Sequence, residues 1–268
     1  FFELFLNVVS IFKFLLKLYN ILILMTQNKL IVSNWKMNLN LINSTKLISK
    51  LKILKISKNI KNIVCPQYLL IPHIRDLIKS SQIILGAQDC HFEEKGPFTG
   101  DSSILLIKDY GCKYVIIGHS ERRQYHKEDN LDVKKKIEVS IKNSIVPIVC
   151  VGESLLQRQN KSYLNFIHKQ LDECIPKKLK ELVIAYEPIW AIGSGLTPTV
   201  EDITEVKESC KNFLNKTKKI SDVKFLYGGS VNSRNFFEIK DKCKVDGALI
   251  GGASLLENEI TNILKGDF

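Results

Sequence analysis

Residues 182–227, LVIAYEPIWAIGSGLTPTVEDITEVKESCKNFLNKTKKISDVKFLY, hold one complete strand–loop–helix–strand unit. Leu182 to Tyr186 and Val223 to Tyr227 are short and mostly apolar, as expected of strands buried on both faces of a parallel sheet. Between them, Val200, Ile203, Val206, Cys210, Phe213 and Leu214 recur at helical spacing behind the polar starter Thr199, which predicts a helix over Thr199 to Lys216. The alternation continues on both sides. Runs at Leu30 to Val32, Ile63 to Cys65, Ile83 to Leu85, Tyr114 to Ile117, Val146 to Val151 and Gly247 to Ile250 complete a set of strands, and Ser44 to Leu54 and Ser154 to Cys174 read as helices. Eight such units predict an α/β fold, a single eight-stranded parallel (β/α)8 barrel over residues 25–268. A doubly wound open sheet is the alternative, but no G-x-G-x-x-G follows the first strand.

A barrel of this kind carries its chemistry at the C-terminal ends of the strands. There the first strand runs into Asn34-Trp35-Lys36-Met37-Asn38, the fourth into Gly118-His119-Ser120-Glu121-Arg122-Arg123, and the sixth into Glu187-Pro188-Ile189-Trp190. His119 precedes a polar stretch able to start a helix, whose positive end would favour a neutral imidazole suited to moving a proton between two oxygens. Glu187 follows an apolar strand, so burial should raise its basicity toward removing a carbon-bound proton beside a carbonyl. The apolar stretch Pro188 to Leu196, with glycines at 193 and 195, reads as a lid that excludes water. Gly228-Gly229-Ser230 and Gly251-Gly252-Ala253, after the seventh and eighth strands, read as a phosphate cradle of unobstructed backbone N–H groups.

Composition narrows the classes further. The chain has 268 residues and a net charge of +11, yet 18 of its first 24 residues are apolar. In that segment Glu3, Asn7, Ser10, Lys13, Lys17 and Asn20 fall on one helical stripe. It reads either as an N-terminal extension outside the barrel, with Met25 the natural start, or as a membrane-associating helix; membrane contact is expected only through residues 1–24. Without them the net charge is +10. Nucleic-acid binding is the reading such a charge suggests, but the lysines are dispersed and no basic-aromatic motif occurs, so no nucleic-acid partner is expected. Seven cysteines without a C-x-x-C pair suit a reducing, cytoplasmic compartment, and five dispersed histidines show no metal-ligand spacing.

NWKMN at 34–38, GHSERR at 118–123, CVGE at 150–153, AYEPIWAIGSG at 185–195, YGGS at 227–230 and GGASL at 251–255 together resemble the triosephosphate isomerase family over essentially all of Lys29 to Leu264. The resemblance implies the TIM-barrel fold, a triose phosphate substrate and no cofactor or metal. It further implies Glu187 as general base, His119 as neutral electrophile and proton shuttle, Lys36 as the cation near the enediolate, and Asn34 on the oxyanion side. Glu121 would pair with Lys36 beside a supporting Ser120, and Gly193, Ser230, Gly251 and Gly252 would hold the phosphate. A homodimer is implied too, with Thr99, in the loop Gln88 to Ser102, crossing to the partner. The chain departs from the family pattern at Ser33, Pro97 and Ser194, none of them a reacting group. A non-catalytic sugar-phosphate-binding barrel is the alternative; it would be expected to lack Glu187, His119 or Lys36, and all three are present.

Overall fold

Eight strands pair in parallel and in chain order: β1 Lys29–Asn34, β2 Ile60–Cys65, β3 Ile83–Ala87, β4 Tyr114–Ile117, β5 Val146–Val151, β6 Glu181–Tyr186, β7 Asp222–Tyr227 and β8 Gly247–Ile250. The last returns to the first, with Leu30 opposite Gly247 and Ser33 opposite Ile250, so the sheet closes into a barrel. This is a computed structural model, and it describes residues 29–177, 179–192 and 196–266. The expectations for residues 1–24, for Gly193 and for Ser194 lie outside the described residues.

Strand side chains alternate between two cores, which is why the runs read as apolar throughout. Val32, Ile63, Ile116, Ile148, Ala185 and Leu249 fill the barrel interior. Ile31, Val64, Val149, Ile184 and Phe225 point outward and pack with helical residues such as Ile48, Ile203 and Leu214. At the closing seam Gly247 has φ +148°, and a Cβ there would stand 1.9 Å from the Leu30 carbonyl oxygen. Only glycine lets β8 approach β1 this closely.

The helices follow in chain order as α1 Leu41–Lys52, α2 Ile71–Leu77, α3 Ile104–Asp109, α4 Ser120–Tyr125 and α5 Asn130–Lys142, then α6 Leu155–Gln159, α7 Tyr163–Cys174, α8 Val200–Lys218, α9 Phe236–Cys243 and α10 Glu257–Lys265. Thr199 caps α8 in a reciprocal box with Asp202, as its polar-starter role implies. α1 begins earlier than the apolar spacing suggests because the Asn40 side chain accepts a hydrogen bond from the Asn43 N–H. The single helix expected over Ser154 to Cys174 is two: Asn160 ends α6, and Lys161 takes a left-handed φ of 54° before α7 begins. Local turn chemistry there overrides a hydrophobic period that runs on through the break.

Beneath the loop that carries His119 lies a buried ionic cluster. Lys136, on α5, donates to both Asp89 carboxylate oxygens at 2.8 and 2.9 Å and also to Glu128. Arg122, on α4, meets the same two carboxylates. The four groups tie α4, α5 and the loop after β3 together. Removing one partner of a buried pair strands its counterion. Lys136→Met is therefore expected to lower unfolding stability by about 3 kcal/mol or more, read by chemical denaturation against wild type.

Candidate active site

β1 ends in a turn that aims Lys36 across the barrel mouth. Asn34 accepts a hydrogen bond on Oδ1 from the Lys36 N–H at 3.1 Å, and Lys36 itself sits at φ 51°. A left-handed lysine costs about 1–3 kcal/mol and persists only where its surroundings hold it. Gln88 supplies part of that hold, because its Nε2 donates to the Lys36 carbonyl at 2.8 Å and to the Cys65 carbonyl at 2.9 Å. The Lys36 ammonium lies 2.5 Å from Glu121 Oε1, so the expected pair is formed.

His119 is the N-cap of α4, and its Nδ1 accepts from the Glu121 N–H at 3.2 Å. A nitrogen that accepts an amide proton carries none of its own, which leaves the proton on Nε2. Nε2 is 2.8 Å from Glu187 Oε1, while Glu187 Oε2 accepts the Ser120 N–H at 2.9 Å. The two buried side chains thus face each other at the mouth.

Their electrostatics differ from the sequence-based expectation. Burial pulls the His119 pKa down, but the adjacent Glu187 carboxylate, aided by Glu121, outweighs it and the net shift is upward. Burial pushes Glu187 up, yet its close contact and hydrogen bond with His119, with the Ser120 N–H, hold it below its ordinary range. Neither the helix end nor desolvation alone sets these groups; their mutual contact does.

The ends of β5 and β6 are packed so tightly that a Cβ on Gly152 would lie 1.7 Å from the Glu187 carbonyl oxygen. Beside it, buried Glu153 accepts hydrogen bonds from the Tyr186 hydroxyl at 3.0 Å and the Trp190 indole at 2.8 Å. Glu153 therefore anchors the start of the apolar stretch, a short 3-10 turn at Ile189–Ala191. Sequence reasoning gave no role to Gly152, Glu153 or Gln88. A carboxylate and a glycine directly after an apolar strand were the signal for the first two; Gln88 acts through a fold contact that spacing does not reveal.

Asn34, Lys36, His119 and Glu187 line a cavity of about 330 Å³ together with Ser230, Gly251 and Gly252. No hydrogen bond among the described residues occupies the N–H groups of Ser230, Gly251 or Gly252. Such free donors suit an anion. Glu121 borders an adjoining cavity rather than this one. Thr99 sits on an exposed turn, away from the cavity of its own chain. Among the described residues no group of His, Cys, Asp and Glu is placed to hold a metal ion.

A closed parallel barrel in which a carboxylate, an imidazole and an ammonium converge on one cavity, beside unoccupied backbone N–H groups, is the arrangement of a barrel enzyme with its candidate site at the C-terminal rim. The family model described as triosephosphate isomerase matches residues 29–266. Proteins named triosephosphate isomerase from Clostridium tetani and Thermoanaerobacter pseudethanolicus are 40% and 39% identical to this chain, over 88% of it in each case and 95% and 98% of their own lengths. One from Zygosaccharomyces bailii is 39% identical, covering 83% of this chain and 92% of its own. The chain belongs to the triosephosphate isomerase family.

Two outcomes follow from the geometry. His119→Gln removes the imidazole contact that helps hold the Glu187 pKa down and leaves burial, which raises it. Alongside a rate loss of about 100-fold or more, the acid limb of the kcat/KM–pH profile is expected at higher pH than in wild type. Gly152→Ala must displace the Glu187 backbone, and a shift of about 1 Å is expected to cost about 100-fold in kcat, measured by steady-state kinetics on folded protein.

Proposed function

We propose that this chain interconverts dihydroxyacetone phosphate and D-glyceraldehyde 3-phosphate through an enediolate. The observation that carries the reading is the 2.8 Å approach of His119 Nε2 to Glu187, within the same cavity as the unoccupied N–H groups of Ser230, Gly251 and Gly252. The two isomers have the same formula, so the reaction needs only proton transfers and no electron acceptor.

Glu187 takes the proton from the carbon beside the carbonyl and returns it to the neighbouring carbon. The electron pair of the broken C–H bond moves onto the carbonyl oxygen, where negative charge develops. His119 gives its Nε2 proton to that oxygen and recovers one from the adjacent hydroxyl. Lys36 stabilises the charge as it grows, and Asn34 lies on the same side. The phosphate sits against the backbone N–H groups, with Gly193 of the lid as a further donor.

The resting contact between base and imidazole has a role in this sequence. Once Glu187 leaves His119 for the substrate carbon, the influence that raises the His119 pKa is withdrawn. Burial, which lowers it, remains, and so does the amide donated to Nδ1. The imidazole that meets the substrate oxygen is then neutral. A neutral donor matches a weakly acidic enediol better than an imidazolium would. The pairing of a glutamate base with a neutral histidine is the established pattern of this family, and it is carried over to Glu187 and His119 on that footing.

The assembly we propose is a homodimer in which the turn bearing Thr99 enters the partner's adjoining cavity. That cavity, of about 270 Å³, is bordered by Met37 and Tyr125, 87% and 70% exposed, as apolar groups awaiting cover would be. Among the described residues no helix is long and apolar enough to cross a membrane. The seven cysteines are all unpaired and buried, which supports a reducing, cytoplasmic setting.

Turnover of glyceraldehyde 3-phosphate by the full chain tests the reaction; a folded protein inert on triose phosphates overturns it. Glu187→Asp withdraws the carboxylate by about 1 Å and is expected to cost about 100-fold or more; an undiminished rate would reassign the base. Deleting residues 1–24 is expected to leave turnover unchanged. Light scattering is expected to give twice the chain mass, and a fully active monomer would remove Thr99 from the site.

A further inference from the structure

The turn after β7, from Gly228 to Asn235, contributes Ser230 and Asn232 to the cavity wall, while Asn235 stands outside it. Asn235 immediately precedes α9, where an asparagine ordinarily caps the helix. Its side chain makes no capping bond to that helix. Instead it reaches back: Oδ1 accepts from the Asn232 N–H at 2.9 Å, and Nδ2 donates to the Ser230 carbonyl at 2.8 Å. Asn232 reciprocates, its Oδ1 accepting from the Arg234 N–H at 2.9 Å and the Asn235 N–H at 3.1 Å. The two asparagines form a reciprocal box of the kind that starts a helix, and the Phe236 N–H donates to the Asn232 carbonyl at 3.1 Å, so the box opens the helical turn that leads into α9.

The box has a specific product. It anchors the Ser230 carbonyl, and with it the peptide joining Ser230 to Val231, and it occupies the Asn232 N–H; the Ser230 N–H, one peptide earlier on the same held residue, is left unoccupied in the cavity that Gly251 and Gly252 also line. Two further ties act on side chains or later in the turn, and Asn235 alone holds the Ser230 carbonyl among the described residues. The Ser233 N–H donates to Glu259 at 2.7 Å, and the Ser230 hydroxyl donates to the Ala191 carbonyl at 3.0 Å. Recognition of an anion by backbone donors is only as strong as the donors are fixed, because a loose turn must be ordered when the ligand binds.

We propose that Asn235 is a positioning residue for phosphate recognition, holding the Ser230 turn in its donor geometry without touching the substrate. The proposal rests on the reading of the cavity as a triose phosphate site. In Asn235→Ala, the inhibition constant of inorganic phosphate and the KM for glyceraldehyde 3-phosphate are both expected to rise about ten-fold, with a smaller change in kcat. Turnover of unphosphorylated glyceraldehyde is expected to stay at the wild-type value. Asn235→Asp keeps the acceptor for Asn232 and loses the donor to Ser230, so it is expected to share the weakened phosphate binding, and it decides the matter should the alanine variant not fold. An unchanged phosphate inhibition constant in a folded variant overturns the proposal, as does an equal loss on both substrates. A wild type inert on triose phosphates would instead overturn the reading of the cavity, and phosphate affinity measured by phosphorus NMR titration would still decide the role of Asn235.

Discussion

Closure of β8 onto β1 is the constraint on which the site depends. Asn34 ends β1 and Lys36 follows it, His119 follows β4, Glu187 follows β6, and the glycine-rich turns follow β7 and β8. These segments are far apart in the chain and meet only because the hydrogen-bonded sheet returns on itself. The seam depends in turn on one absent side chain, at Gly247 against the Leu30 carbonyl. Parallel pairing then puts every C-terminal strand end on the same rim, so the fold supplies convergence and the loops supply chemistry.

Within that rim, position is secured by backbone groups at least as much as by side chains. The Ser120 and Glu121 amides hold Glu187 and His119, the Gln88 side chain holds a lysine carbonyl, and Gly152 lets β5 press against the backbone of Glu187. Rigid supports of this kind keep reacting groups in place without adding competing charges. The buried cluster of Asp89, Arg122, Glu128 and Lys136 extends the support outward to two helices.

Much of this was legible in the sequence. The strand runs stood out because both of their faces are buried, and the reacting groups stood out because polar residues follow each run at once. What sequence could not convey was interaction between segments. The expected basicity of Glu187 and neutrality of His119 were argued from each residue's own surroundings, whereas the structure sets them by their mutual contact. The break at Lys161 was hidden for a related reason: an apolar period continues across it while the backbone does not. Gln88 and Asn235 looked like ordinary loop amides, and their roles emerge only from the carbonyls they meet.

The loop after β3 begins with Gln88 and continues to the exposed turn at Thr99. Its inner end braces the strained backbone of Lys36, and its outer end projects from the molecule. The loop thus spans from the candidate site to the surface. Between the two ends the loop is pinned, Asp89 by Arg122 and Lys136, the His91 N–H by the Ser102 carbonyl and Glu94 by Asn143 and Lys142, so the brace on Lys36 is insulated from events at the exposed turn. The exposed turn can therefore meet a neighbouring molecule without disturbing the peptide that carries the ammonium.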